Sequence, residues 1–168
     1  MQNFPACIEH VLAAEGGLVH HPKDPGGVTK FGISQRSYPN LNIRELTPDD
    51  AKALYQRDYW APIQGEDLPA GLDLVVLDHA VNAGPARAVR ILQHLVGAPE
   101  DGRMGPVTLA GVARADPDDL ISQFSELRLE YYRDLASWRV FGAGWTRRVQ
   151  RIRRAALAMA RALGPQAA

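Results

Sequence analysis

Four prolines fix most of what this chain can become. Pro48, Pro85, Pro106 and Pro117 each follow a residue suited to ending one segment and starting a helix: Thr47, Gly84, Gly105 and Asp116. Proline has no amide donor and its φ is locked near −65°, so it fits the first turn of a helix and disrupts later turns. Each pair therefore predicts a helix start. Thr47-Pro48-Asp49-Asp50 adds two acids to its first turn, where the helix dipole favours them. The apolar residues that follow keep helical spacing: Ala51, Leu54, Tyr55 and Tyr59, then Val89, Leu92 and Leu95, then Leu120, Phe124, Leu127, Tyr131 and Leu135. Phe4, Ile8, Val11 and Leu12 make an earlier stripe, capped by Asn3 and stopped by Gly16-Gly17, so that helix ends near Glu15. Leu72 to Val81 reads as a buried helix, and Trp145, Val149, Ile152, Ala156, Met159 and Leu163 mark the last one. Residues 18–33 depart from this pattern. They are rich in turn formers, and Val28 to Ile33 predicts a short strand or hairpin arm. The expected fold is mostly α-helical with a small β-hairpin near residues 18–33.

The 168 residues are 46% hydrophobic and 23% charged, which suits a globular chain with a real core and excludes a disordered or collagen-like one. Nineteen basic and nineteen acidic residues cancel, so no global charge favours nucleic acid. The balance is uneven, however. Residues 1–100 carry 8 Lys/Arg against 12 Asp/Glu, and residues 101–168 carry 11 against 7, so the second part favours an anionic surface. Cys7 is the single cysteine, which excludes an internal disulfide and reads as a small buried hydrophobe. No secretory signal is visible at the start, so synthesis and accumulation in the cytoplasm are expected. No run of about 18 apolar residues suggests a membrane span. The seam Gly97 to Gly105 is short for a flexible linker, so residues 1–96 and 97–168 are expected to pack together, and a monomer is expected.

Glu15 has the most chemical potential. A carboxyl at a helix C-terminus feels the negative end of the dipole, and partial burial adds desolvation; both favour the protonated form. A carboxylic acid held protonated near neutral pH is what a general acid needs. A second carboxylate in a wetter place, such as Asp24, then serves as base, nucleophile or charge stabiliser, the logic of glycoside hydrolysis. The plain alternative is an ordinary helix-end glutamate followed by an ordinary Asp24-Pro25-Gly26-Gly27 turn.

The order of motifs goes further. Glu15-Gly16-Gly17, Asp24-Pro25-Gly26-Gly27, Thr29, Phe31-Gly32-Ile33-Ser34, Tyr55, Asp58-Tyr59-Trp60, Pro62, Asp78, Ala80-Val81-Asn82, Gly84 and Gln93 resemble glycoside hydrolase family 108, N-acetylmuramidases of phages, prophages and related elements. Asp101-Gly102, Gly105-Pro106, Thr108, Phe141-Gly142, Gly144-Trp145 and Arg148 look like the peptidoglycan-binding region associated with it. The resemblance implies a lysozyme-like fold and an endolysin-type activity on peptidoglycan without a cofactor. Residues 1–96 would form the catalytic region and 97–168 a helical binding region. Glu15 occupies the family's catalytic glutamate position. The Glu15, Asp24, Thr29 order is similar to the glutamate, aspartate and threonine of phage-type lysozymes, although Thr29 comes slightly early. A holin-like pore or a dedicated exporter would deliver the enzyme to the wall.

Tyr55, Tyr59 and Trp60 are candidates to line a glycan cleft, because aromatic rings offer flat apolar faces; the alternative is that they belong to the core. Asn82 would hydrogen-bond an acetamido group or simply cap a helix before Gly84. Asp78, on an apolar segment, needs a polar partner if buried. His20, His21, Asp24 and His79 do not have metal-ligand spacing, and no metal is expected. Arg147, Arg148, Arg151, Arg153, Arg154 and Arg161 form either a solvated face or one attracted to anionic envelope polymers. Rival activities are a lytic transglycosylase, a metallo-peptidase or amidase, and a non-catalytic wall-binding protein.

Overall fold

The computed structural model describes residues 3–15, 19–20 and 28–163; within these, the side chains of residues 14, 15, 19, 20 and 28 lie outside the description. Helices dominate. They are α1 (Phe4–Glu15), α2 (Pro48–Tyr55), α3 (Leu72–Ala83), α4 (Pro85–Leu95), α5 (Pro106–Val112), α6 (Pro117–Arg133) and α7 (Trp138–Leu163). All four sequence-marked prolines open a helix. Thr47 completes a capping box with Asp50, each side chain bonding the other's backbone amide. Asp116 accepts from the Asp119 amide at the start of α6. No helix among the described residues is long and apolar enough to cross a membrane.

The β-element is larger than a hairpin. Strands β1 (Val19–His20), β2 (Val28–Lys30) and β3 (Ile33–Ser34) form an antiparallel three-stranded sheet with β2 in the middle. The β2–β3 turn is two residues, Phe31-Gly32, both with positive φ (53° and 77°). That is the backbone a tight hairpin requires, and glycine adopts it freely while phenylalanine does so under strain.

The first helical segment after the sheet differs from a regular helix. After Tyr55 the chain widens into a π turn over Gln56–Trp60, where the Ala61 amide reaches the Gln56 carbonyl. An i→i+5 turn re-aims the side chains that follow it.

α3 is the central strut. Leu72, Leu74, Val75, Val76, Leu77 and Ala80 are all buried, as expected for a helix apolar all round. It touches α1, α4, α6 and α7. Its start is crowded: Gly71, with φ of 86°, lies against the Ala156 backbone of α7, so any side chain there would collide. α6 and α7 form an antiparallel pair, with Arg153 facing Glu126 at 3.4 Å and Arg161 facing Asp118 at 3.5 Å. The seam between the two parts is tied rather than loose. The buried Gln93 amide nitrogen donates to Asp101 (2.7 Å) and to the Arg103 carbonyl (3.0 Å), while its oxygen accepts from the Gly102 amide (2.9 Å).

Candidate functional site

α1 ends at Glu15 because its apolar stripe ends there: Phe4, Cys7, Ile8 and Val11 are buried against the core. At its start, the Asn3 amide donates to Asp73 of α3 at 3.0 Å. Ten residues on, Ala13 lines a pocket with Arg148 of α7, and Arg148 in turn grips Asp78 of α3. α1 and α3 therefore run side by side in the same sense. Their C-terminal ends, with Glu15 on one and Asn82 on the other, lie at the same end of the pair.

The sheet presents Thr29. In the register Thr29 pairs with Ser34 and Val19, while Lys30 pairs with Ile33. Cross-strand partners point to the same side of a sheet. Ile33 is buried in the core, so Thr29 and Ser34, both half-buried, face the other way. Asp24 lies outside the described residues, as do His21 and the Glu15 side chain.

The aromatic candidates separate. Tyr55 is buried, and its hydroxyl donates to the Phe31 carbonyl at 2.8 Å, clamping the strained turn to α2. It acts as a buttress of the sheet, not as a face for sugar. Tyr59, half-buried, stacks on Tyr55 with centroids 5.5 Å apart. Trp60 corrects the expectation of a cleft residue. The π turn rolls it into the core, where it is 2% exposed. It packs on Phe4 at 5.3 Å and donates from Nε1 to Glu66 at 3.0 Å. Phe4 is at the opposite end of α1 from Glu15, about 16 Å away along the axis. Asn82 is exposed and its side-chain amide donates to the Asp78 carbonyl at 2.7 Å, which leaves its oxygen as the group able to meet a ligand donor.

Close to this end of α3 is a charged cluster that sequence reading only partly foresaw. Asp78 is fully buried, 2.6 Å from Nη2 of Arg128 on α6 and 2.8 Å from Nη2 of Arg148 on α7. Burial opposes its ionisation, but the guanidiniums of Arg128 and then Arg148 more than offset that and hold the carboxyl below the usual range. Its neighbour His79 is also fully buried, with Nδ1 3.5 Å from the Tyr132 hydroxyl, which accepts from Arg128 Nε. Burial first, and the Arg128 charge next, push the His79 pKa down to about 3. The imidazole stays neutral and structural. The expected partner for a buried Asp78 thus exists twice over. Arg128 was missed because it lies on the buried stripe of α6, one turn after Phe124, where a cation is unexpected.

Elsewhere, Asp58 accepts from Tyr38 at 2.7 Å and pairs with Arg57 at 2.6 Å. Cys7 is buried, and burial followed by the Asp73 charge pushes its thiol far up, so it is inert. Among the described residues there is no group of three or more His, Cys, Asp or Glu side chains able to hold a metal.

The chain is a helical body with a small three-stranded sheet that begins four residues after a helix ending in a glutamate, and with further helices packed on α3, a lysozyme-like arrangement. Residues 8–84 match the family model described as Glycosyl hydrolase 108, and residues 87–150 match the one described as Predicted Peptidoglycan domain. A solved structure described as "Structure of Brucella abortus SagA" is 41% identical, covers 95% of this chain and 96% of its own, and superposes with a TM-score of 0.87. No curated protein matches. The chain belongs to the Glycosyl hydrolase 108 family. It is a glycoside hydrolase with peptidoglycan as its substrate.

Proposed function

We propose that the protein is an N-acetylmuramidase that hydrolyses the β-1,4 bond between N-acetylmuramic acid and N-acetylglucosamine, with Glu15 as general acid. The observation that carries this reading is the end of α1: in a chain of this family, the helix terminates on Glu15, four residues before the first strand of a sheet that bears Thr29 on the face opposite Ile33. A protonated Glu15 gives its proton to the glycosidic oxygen as the bond to the muramic carbon breaks. Asp24 steadies the oxocarbenium-like charge or activates water, and the Thr29 hydroxyl orients one or the other. Tyr59 and Asn82 are the remaining candidates for sugar contact, through a ring face and a side-chain oxygen. Made in the cytoplasm, such an enzyme would reach its polymer through a holin-like pore or an exporter.

Digestion of purified peptidoglycan, with the new ends identified by mass spectrometry, tests the reaction. Reducing muramic ends are expected. Anhydro-muramic ends would assign a lytic transglycosylase, and intact strands a non-catalytic wall-binding protein. Glu15→Gln should lower turnover by at least about 100-fold with an unchanged circular dichroism spectrum; a folded Gln variant with parental turnover removes Glu15 from the mechanism.

A further inference from the structure

The seven arginines of α7 do not share one environment. Arg148 is committed to Asp78, Arg153 faces Glu126, and Arg161 faces Asp118. Arg147 and Arg151 are exposed one turn apart and, with Arg148, Gly144 and Ala13, line a pocket of about 340 Å³ between the last turn of α1 and α7. Positions 144, 147, 148 and 151 form one helical face. Among the described residues, a side chain built at Gly144 would meet nothing within 4 Å. The pocket wall on the other side belongs to the helix that ends, two residues after Ala13, in Glu15.

The two exposed guanidiniums of Arg147 and Arg151 beside an open pocket suit carboxylates, which they can grip bidentately. On a peptidoglycan strand the carboxylates lie in the peptide stem that each muramic acid carries on its lactyl ether. A muramic ring positioned for cleavage at Glu15 must send its stem away from the glycan axis, and the arginine pocket lies within a turn of that point. We propose that the pocket between α1 and α7 binds the acidic peptide stem of the muramic acid being cleaved, with Arg147 and Arg151 as its carboxylate ligands. The inference rests on the proposed role of Glu15 for the placement of the sugar. It makes the second matched region part of substrate recognition at the reacting residue, not a separate anchor.

The test uses binding, so it does not depend on turnover. In the full-length Glu15→Gln protein, calorimetry compares soluble glycan fragments carrying intact stems with the same fragments stripped by an amidase and then capped as the amide at the lactyl carboxyl that this exposes. The stem-bearing fragments should bind about three- to tenfold tighter, the range expected of two exposed Arg–carboxylate pairs. The preference should shrink as salt rises. Adding Arg147→Ala and Arg151→Ala should bring the ratio close to one, Arg147→Lys with Arg151→Lys should restore part of it, and Gly144→Leu, which fills the pocket without touching the arginines, should also abolish it. The proposal is overturned if the ratio in the parental background is already one, or if it survives the double alanine variant. It is equally overturned if, in the Glu15 enzyme, the double variant shifts the pH profile of kcat and leaves KM for the two substrates alike, because the arginines would then act on the acid and not on the stem. Absence of reducing muramic ends with the stem preference intact would reject the hydrolase reading and leave this one standing.

Discussion

Replacing Asp78 with Asn removes one negative charge from a site where two positive ones have nowhere to go. Arg128 is 1% exposed and Arg148 17% exposed. Arg148 can swing part of its guanidinium into water, whereas Arg128 remains buried beside a neutral amide. Breaking a buried pair by deleting one partner costs about 3–5 kcal/mol, because the remaining charge loses its compensation. A domain of this size is typically stable by about 5–15 kcal/mol, so a large part of the margin disappears. Arg148→Ala, at the wetter position, should cost less, about 1–3 kcal/mol. The mechanism also predicts a rescue: Asp78→Leu combined with Arg128→Met removes both buried charges and should be at least about 2 kcal/mol more stable than Asp78→Leu alone. Urea unfolding followed by far-ultraviolet circular dichroism at pH 7 measures all four variants, with the slope against denaturant checked for constancy. An Asp78→Asn cost below about 1 kcal/mol, or a double variant no more stable than Asp78→Leu alone, would refute the view that this charge is bound to its two partners.

Two further outcomes follow from the same structure. His79 has a folded pKa near 3 against an ordinary 6.5, so the unfolded chain takes up its proton first as pH falls. Full stability is present above about pH 6.5 and is lost progressively below it, by about 2–3 kcal/mol between pH 6.5 and 4.5. His79→Met should flatten the urea midpoint over that interval, and an unchanged slope would mean the imidazole can charge in place. Tyr55→Phe removes the clamp on the Phe31 carbonyl; it should cost about 1 kcal/mol and raise amide hydrogen exchange in β2 and β3, and exchange equal to the parental rate would show that the turn holds itself.

Helix starts were legible because their determinants are local. A proline, a cap and the next two acids sit within four residues, as at Thr47–Asp50, and no distant contact can override them cheaply. Glu15 as the end of α1 was legible for the same reason. The π turn was not: the periodicity through Ala51, Leu54, Tyr55 and Tyr59 is compatible with an unbroken helix, and one inserted residue alters which neighbour each side chain meets. That is why Trp60 turns into the core against Phe4 while Tyr59 stacks on Tyr55. The third strand escaped because Ile33-Ser34 is too short to show an alternation. Asp78 announced that it needed a partner, but Arg128 and Arg148 are 50 and 70 residues away, beyond the reach of any spacing rule.

The ion cluster has a consequence for how such proteins can be recombined. Asp78 lies in the segment matched as the hydrolase and its two arginines in or beside the segment matched as the wall-recognition unit. A swap of the second segment for one from a relative, cut in the α3–α4 corner at Gly84, would import a foreign surface opposite an orphaned carboxylate. Engineered hybrids should therefore retain the arginine pair along with the host's first segment, or replace Asp78 at the same time.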